Sequence, residues 1–309
     1  MKVIYGISQW RYDFATAVCL GVFDGVHVGH ASVLKKAHQV AKSANLASVV
    51  FTFWPPPFKL IFRDSTDPHI LTSLPHKLKL IEEFGIDYCL IGEFSKEFMQ
   101  LKAEKFLKEN LIDKLNMQEL IIGKDFRFGA KTESGIEELE RWSGEYGYKV
   151  FPVDTEKIKG RRISSSWIRQ LITEGNLTEA EQLLGRKVSL FGEVVRGEGE
   201  GKKLGYPTAN INPHQEVLPP EGVYLARVDV GSKVFDAVLS IGRQVTISPK
   251  KKPVVEAYLL DYSGQDLYGK QIQIHILKHM REQEKFSSPK VLSEAIAHDV
   301  KDAKIKLKS

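Results

Sequence analysis

Two histidines set three positions apart, His27 and His30 in the run DGVHVGH, are the first residues whose types and spacing can do chemistry. They fall where an apolar strand-like run, Ala17 to Phe23, gives way to helix-forming residues from Ala31 to Ala44, so both imidazoles can project from one face of a first helical turn. That spot is also the positive end of a helix, where backbone N–H groups receive phosphate. Two imidazole donors there can stabilise the charge that builds on phosphorus under in-line attack, while the flanking glycines let a nucleotide come close; no protein nucleophile is required. Taken alone, the spacing equally fits a helix-start pair without a role, or two metal ligands. Against the metal, no third cysteine, histidine or carboxylate stands at a recognisable spacing.

Two later segments favour phosphate. GKDFRFG, residues Gly123 to Gly129, follows another strand and brings charged groups, Asp125 among them, to the same carboxyl edge of a sheet. The run RRISSS from Arg161 to Ser166 sets arginine and three hydroxyls at a helix start, a second anion-binding device, although serines there also act as ordinary caps.

A separate constellation lies further on. RGEGEGKKLGYPTAN carries Gly197, Gly199 and Gly201, and repeated glycine lets backbone amides approach phosphate; a glycine-rich hairpin reads the same way, and the spacing is neither a Walker A loop nor a dinucleotide fingerprint. Thr208 and Asn210 add oxygen ligands of the kind Mg²⁺ accepts. Glu256 in VVEAYLLD sits on an alternating strand whose other face holds Val255, Ala257 and Leu259. Its carboxylate can therefore face a pocket as general base, or face solvent on a half-covered strand.

The elements that must position these residues follow from periodicity. Strands are expected at Ala17–Phe23, Leu46–Phe53, Asp87–Gly92, Glu119–Gly123 and Lys149–Val153, with helices at Ala31–Ala44, Pro75–Phe84, Ala103–Ile112 and Ser134–Tyr146. Pro55, Pro56 and Pro57 stop the second strand. Alternation of this kind predicts a parallel sheet wrapped by helices, with ligands beyond the carboxyl ends of the strands. Two more helices follow, Ser164–Thr173 and Thr178–Leu184, the latter with Thr178 as cap and Gly185 as stop. After about Arg186 the period becomes two, over Val223–Val230, Lys233–Ile241, Val254–Leu260 and Gln271–Leu277, and Pro289–Lys306 ends the chain as an amphipathic helix. The expected division is residues 1–185, an α/β domain, and 186–309, a small antiparallel sheet or barrel with a C-terminal helix.

Composition limits the alternatives. With 309 residues, 42% hydrophobic and 27% charged, the chain is that of a folded soluble protein long enough for two domains. A net charge of +5 suits small anions; a nucleic-acid reading would need a basic face with interleaved aromatics, and Arg161-Arg162 is too short for one. Cys19 and Cys89 lie in apolar runs and read as buried free thiols, which excludes a disulfide framework. No signal core or membrane span is seen, so a cytoplasmic protein is expected, a monomer or weak homo-oligomer.

DGVHVGH resembles the HxGH signature of the nucleotidyltransferase superfamily, and GKDFRFG with RISSSWIR resembles the adenylyltransferase module of the bacterial bifunctional riboflavin kinase/FAD synthetases. GKKLGYPTAN, VVEAYLLDYSGQDLYG and MREQEKF are similar to the kinase module of that family, so the resemblance runs nearly end to end. It implies a Rossmann-like sheet followed by a six-stranded barrel, phosphorylation of riboflavin to FMN, and transfer of AMP from ATP to FMN, giving FAD and pyrophosphate, with Mg²⁺ present. By motif match Gly21, Phe23, Asp24, Gly25, His27, His30, Asp125, Arg162, Ser165 and Ser166 would serve ATP in the first half. Gly199, Gly201, Lys203, Gly205, Thr208 and Asn210 would serve Mg-ATP in the second, with Glu256 as base and Arg281 and Phe286 along the flavin. Two departures are visible. Pro56 stands where the family usually has histidine, and Arg243 to Ile247 follow Gly242 where the family has a Pro-Thr-Phe loop. The runner-up implication is an adenylyltransferase whose barrel is inactive or regulatory. A flavin- or nucleotide-sensing module without catalysis would show replacement of His27, His30 or Glu256, and all are present.

Overall fold

The structure is a computed structural model that describes residues 1–61, 69–130, 134–197, 199–214, 216–242, 253–264 and 266–307. The loop from Arg243 to Ile247, and the Lys250–Lys252 cluster beside it, lie outside the described residues. By contact the chain divides into two compact units, Met1–Pro68 with Leu74–Ser165, and His69–Ser73 with Ser166–Ser309.

In the first unit, strands β1 (Lys2–Tyr5), β2 (Thr16–Leu20), β3 (Ala47–Phe53), β4 (Tyr88–Gly92), β5 (Met117–Gly123) and β6 (Lys149–Val153) form one sheet in the order β1-β4-β3-β2-β5-β6. Every pairing in it is parallel. Its strands are near-continuous apolar runs because both faces are covered. Along β2, Val18 and Leu20 join one core cluster and Ala17 and Cys19 the other, with Trp10, Phe51 and Leu120 on the first side and Leu34, Val50 and Ile81 on the second. Cys19 and Cys89 are the buried free thiols expected from their apolar runs. Burial pushes both thiols up, Cys89 to about 12. A two-stranded hairpin of β7 (Lys157–Ile158) and β8 (Arg161–Arg162) follows β6.

The second unit is a closed antiparallel barrel in the order β10-β13-β12-β11-β14-β9. Its strands are β9 (Ser189–Val195), β10 (Ala209–Asn212), β11 (Gly222–Val230), β12 (Lys233–Gly242), β13 (Val254–Leu259) and β14 (Gln271–Glu282). Closure removes the open edges a small sheet would expose. The C-terminal helix Pro289–Lys306 is capped by the Ser288 hydroxyl, and Ala303 on it joins Val223, Leu225 and Val238 in an outer cluster.

Several elements differ from the sequence expectation. β1, β9 and β10 were not expected: β1 and β10 have only four residues each, and β9, seven residues long, is defined by its pairing with β10 and β14 rather than by local alternation. β14 runs on from Leu277 to Glu282 because β11 pairs with it through Arg281 and Glu282. The helix expected from Ser134 starts at Ile136, where the Glu138 carboxylate accepts the Gly135 N–H at 2.8 Å. Thr178 is not a cap; the helix starts at Leu177, with Asn176 as its N-cap residue. From Leu107 to Ile112 the expected α-helix is wound as a π-helix.

Candidate active sites

The first site is built on the turn between β2 and the helix Val28–Ala44. His27 is the N-cap of that helix: its Nδ1 accepts the backbone N–H of His30 at 3.3 Å. The two imidazoles stack, with centroids 3.6 Å apart and planes 15° from parallel, and the Phe23 ring meets His30 edge-on at 5.3 Å. Capping and pairing therefore coexist in one residue. The nearness of His27 also explains Gly29, since a Cβ there would lie 3.3 Å from the His27 ring. At Gly21 a Cβ would come within 2.9 Å of the Phe23 ring, so the turn is packed too closely for a side chain.

Of the later segments, the serine run reaches this turn through Ser165. Ser165 Oγ donates to the Asp24 carbonyl at 2.9 Å, tying the start of the helix Ser165–Thr173 to the turn. Arg162 reaches Asp125 Oδ2 at 3.4 Å, and the Thr155 hydroxyl also donates to Asp125. Both charged groups are largely exposed, so the pair contributes little stability and leaves its charges available to a ligand. Ser166 is exposed and accepts from Arg169 at 3.3 Å. Pro56, buried, stands between β3 and the short helix Pro57–Ile61.

In the barrel, register performs the assembly. Ser240 on β12, Glu256 on β13 and Asn210 on β10 stand opposite one another in a single row. Val255, Ala257 and Leu259 on the other face of β13 are buried, as the alternation predicted, and Glu256 is half-buried. The glycine-rich segment lies against this row. A Cβ on Gly197 would fall 2.2 Å from Asn210 Nδ2, and one on Gly201 would fall 2.4 Å from the Tyr206 carbonyl and 3.2 Å from Thr208 Oγ1. Gly199 and Gly205 take φ of 73° and 86°, in the left-handed region that glycine alone enters freely. Lys203 ends the short helix Glu200–Lys203 between them. Thr208 hydroxyl, Asn210 amide oxygen and Glu256 carboxylate are hard oxygen donors beside a glycine-rich segment, a set that fits Mg²⁺ with a nucleotide. No cluster of three or more His, Cys, Asp or Glu suited to a metal occurs among the described residues.

Arg281, at the far end of β14, is gripped by both oxygens of Asp299 at 2.8 and 2.7 Å and lies 5.8 Å over the Phe286 ring. The Asp299 carboxylate raises the Arg281 pKa, so the guanidinium stays charged. Sequence reasoning missed Asp299, because nothing local links it to an arginine on a strand. It also missed Lys77, whose signal was present: Lys77, Leu80 and Ile81 share helical spacing, which puts a lysine on an apolar face.

A parallel sheet bearing a capped histidine pair, joined to a closed barrel bearing a carboxylate and oxygen donors under a glycine cradle, defines a nucleotidyltransferase unit followed by a phosphotransferase barrel. Family models agree unit by unit: FAD synthetase matches residues 11–167 and riboflavin kinase residues 184–307. The chain belongs to the bifunctional riboflavin kinase/FMN adenylyltransferase family. Relatives of that description are 36% identical in Escherichia coli strain K12, over 97% of this chain and 96% of that protein, and 32% identical in Bacillus subtilis strain 168, over 93% and 91%. A crystal structure from Streptococcus pneumoniae, described as a macrolide-efflux protein, has 27% identity and a TM-score of 0.82 over 98% of this chain and 99% of that one. No helix among the described residues is long and apolar enough to cross a membrane.

Proposed function

We propose that this chain makes FAD from riboflavin in two ATP-dependent steps, one on each compact unit. The observation that supports the reading is that FAD synthetase and riboflavin kinase match consecutive stretches, residues 11–167 and 184–307, the first holding the stacked His27/His30 pair and the second the row of Ser240, Glu256 and Asn210.

In the barrel, Glu256 accepts the proton of the riboflavin ribityl hydroxyl as its oxygen attacks the γ-phosphoryl of ATP; FMN forms and ADP leaves. Thr208 and Asn210 would hold Mg²⁺, which supplies charge neutralisation at the phosphates when bound. Gly199, Gly201 and Gly205 admit the phosphates to backbone amides near Lys203, while Arg281 and Phe286 present a cationic and an aromatic surface to the flavin. In the first unit, an FMN phosphate oxygen attacks the α-phosphorus of ATP and pyrophosphate leaves. Gly21, Phe23, Asp24 and Gly25 shape the nucleotide turn, and His27 and His30 donate to the phosphoryl oxygens on which charge builds. Asp125, Arg162, Ser165 and Ser166 orient the triphosphate. The functional boundary is taken at 185/186, with ATP, riboflavin, FMN and FAD as the small-molecule partners of a cytoplasmic monomer or weak homo-oligomer.

Crossed substitutions test the assignment. His30→Ala is expected to abolish FAD formation from FMN and to spare riboflavin phosphorylation, and Glu256→Ala to do the reverse, read by separating flavins after incubation with Mg-ATP. Loss of both activities in either folded variant would break the two-site assignment. FAD from FMN together with unphosphorylated riboflavin in the wild type would leave the barrel a flavin-binding or regulatory unit.

A further inference from the structure

Lysine is almost never fully buried unless it is paired, yet Lys77 is 1% exposed, on the helix Leu74–Glu82. Its Nζ donates to the Val22 carbonyl at 2.9 Å and to the Phe53 carbonyl at 3.5 Å, and it lies 5.5 Å from the centre of the Trp54 ring. Those two carbonyls lie just past the end of β2 and at the end of β3, neighbouring strands at the sheet edge where a doubly wound fold binds its ligand.

The turn that Lys77 grips is strained. Phe23 and Val26 take φ of 52° and 39°, and Gly25 takes 85°; for a β-branched residue such as Val26 a positive φ is a genuine outlier. Such a backbone persists only where its surroundings over-determine it. Here the Val22 carbonyl accepts from Lys77 Nζ and also from Thr52 Oγ1 at 3.0 Å, and the Asp24 carbonyl accepts from Ser165. His27 follows the turn directly and opens the helix.

We propose that Lys77 is a positioning residue of the adenylyl-transfer site, its ammonium pinning the strained Val22–Val26 turn and thereby the stacked His27/His30 pair. The inference rests on reading the first unit as an FMN adenylyltransferase.

The charge on Lys77 gives the proposal a signature. Burial lowers its pKa to about 8, partly opposed by the Asp24 carboxylate on the turn; Cys89 on β4, pushed up to about 12, remains a neutral thiol across the same range. With the folded-state pKa lowered, the ammonium is present below about pH 8 and is lost as pH rises through it. FAD formation should therefore fall on the alkaline side with an apparent pKa near 8.

The test measures FAD formation from FMN against pH in the wild type, Lys77→Met and Thr52→Val, with riboflavin phosphorylation by the same preparations as the control. Lys77→Met is expected to lower kcat about tenfold or more while the KM for ATP moves less than about threefold, to spare phosphorylation, and to lose the alkaline limb. Thr52→Val, which removes the uncharged partner of the same carbonyl, is expected to lower kcat less and to keep the limb. Lys77→Met turning over at the wild-type rate, or a wild-type profile that stays flat from pH 7.5 to about 9.5, would overturn the proposal. Since the wild-type limb is read without any substitution, a poorly folded Lys77→Met leaves the proposal open to refutation. A wild type that phosphorylates riboflavin but makes no FAD at any pH would instead overturn the adenylyltransferase reading itself.

Discussion

His27 serves its helix and its neighbour with the same ring: Nδ1 accepts the His30 N–H at 3.3 Å while the ring face stacks on His30. Asparagine caps a helix as well as any residue but offers neither imidazole donor nor stacking surface. His27→Asn is therefore expected to keep its melting temperature within a few degrees of wild type, yet to lose about a hundredfold in FAD formation, the usual effect of removing one donor to a developing oxyanion. Thermal unfolding and a flavin assay on the same sample check both halves; equal loss of stability and activity would reduce His27 to a cap. These residues were legible in the sequence because their chemistry is local: DGVHVGH and RRISSS each place donors within one turn of a helix start. Asp299 was not legible, since only the fold carries it to Arg281.

Among the elements, the glycine-rich segment and the row beneath it make the sharpest prediction. A Cβ on Gly197 would overlap the Asn210 amide at 2.2 Å, and the side chain is the part free to move, so Gly197→Ala should displace Asn210 rather than unfold the barrel. The expected result is a loss of about tenfold or more in riboflavin phosphorylation with FAD formation from FMN unchanged, measured by separating products. Gly192 makes the contrast: a Cβ there would sit 2.1 Å from the Asn212 backbone carbonyl, which cannot yield without breaking β9 from β10. A second element-scale prediction concerns the buried Glu216. Its carboxylate accepts the Ser73 N–H and hydroxyl, both at 2.7 Å, and the Phe191 N–H at 3.1 Å, holding His69–Ser73 to β9. Glu216→Ala strands those buried donors and should cost about 1–3 kcal/mol or more, whereas Glu216→Gln should cost less, read by denaturant unfolding of the full chain. The strands flanking these features were the hardest to read from sequence. β10 has four residues, and only its partners β9 and β13 define it. The row of Ser240, Glu256 and Asn210 is a fact of register, which periodicity within one strand does not reveal.

At the scale of the whole molecule, the change of hydrophobic period near residue 186 foretold an α/β half and an all-β half, and the structure has a six-stranded parallel sheet and a closed six-stranded barrel. What composition and periodicity did not foretell is that His69–Ser73, which falls between strands of the sheet in sequence, belongs by contact to the barrel unit. Consecutive matches to FAD synthetase, residues 11–167, and riboflavin kinase, residues 184–307, imply two activities that share ATP and the intermediate flavin. The most direct measurement follows the flavins over time when the full chain is incubated with Mg-ATP and either riboflavin or FMN. FMN rising and then falling as FAD accumulates from riboflavin, with FAD appearing from FMN without delay, is the predicted result. FAD from neither flavin, in a preparation shown to be folded, would contradict the account.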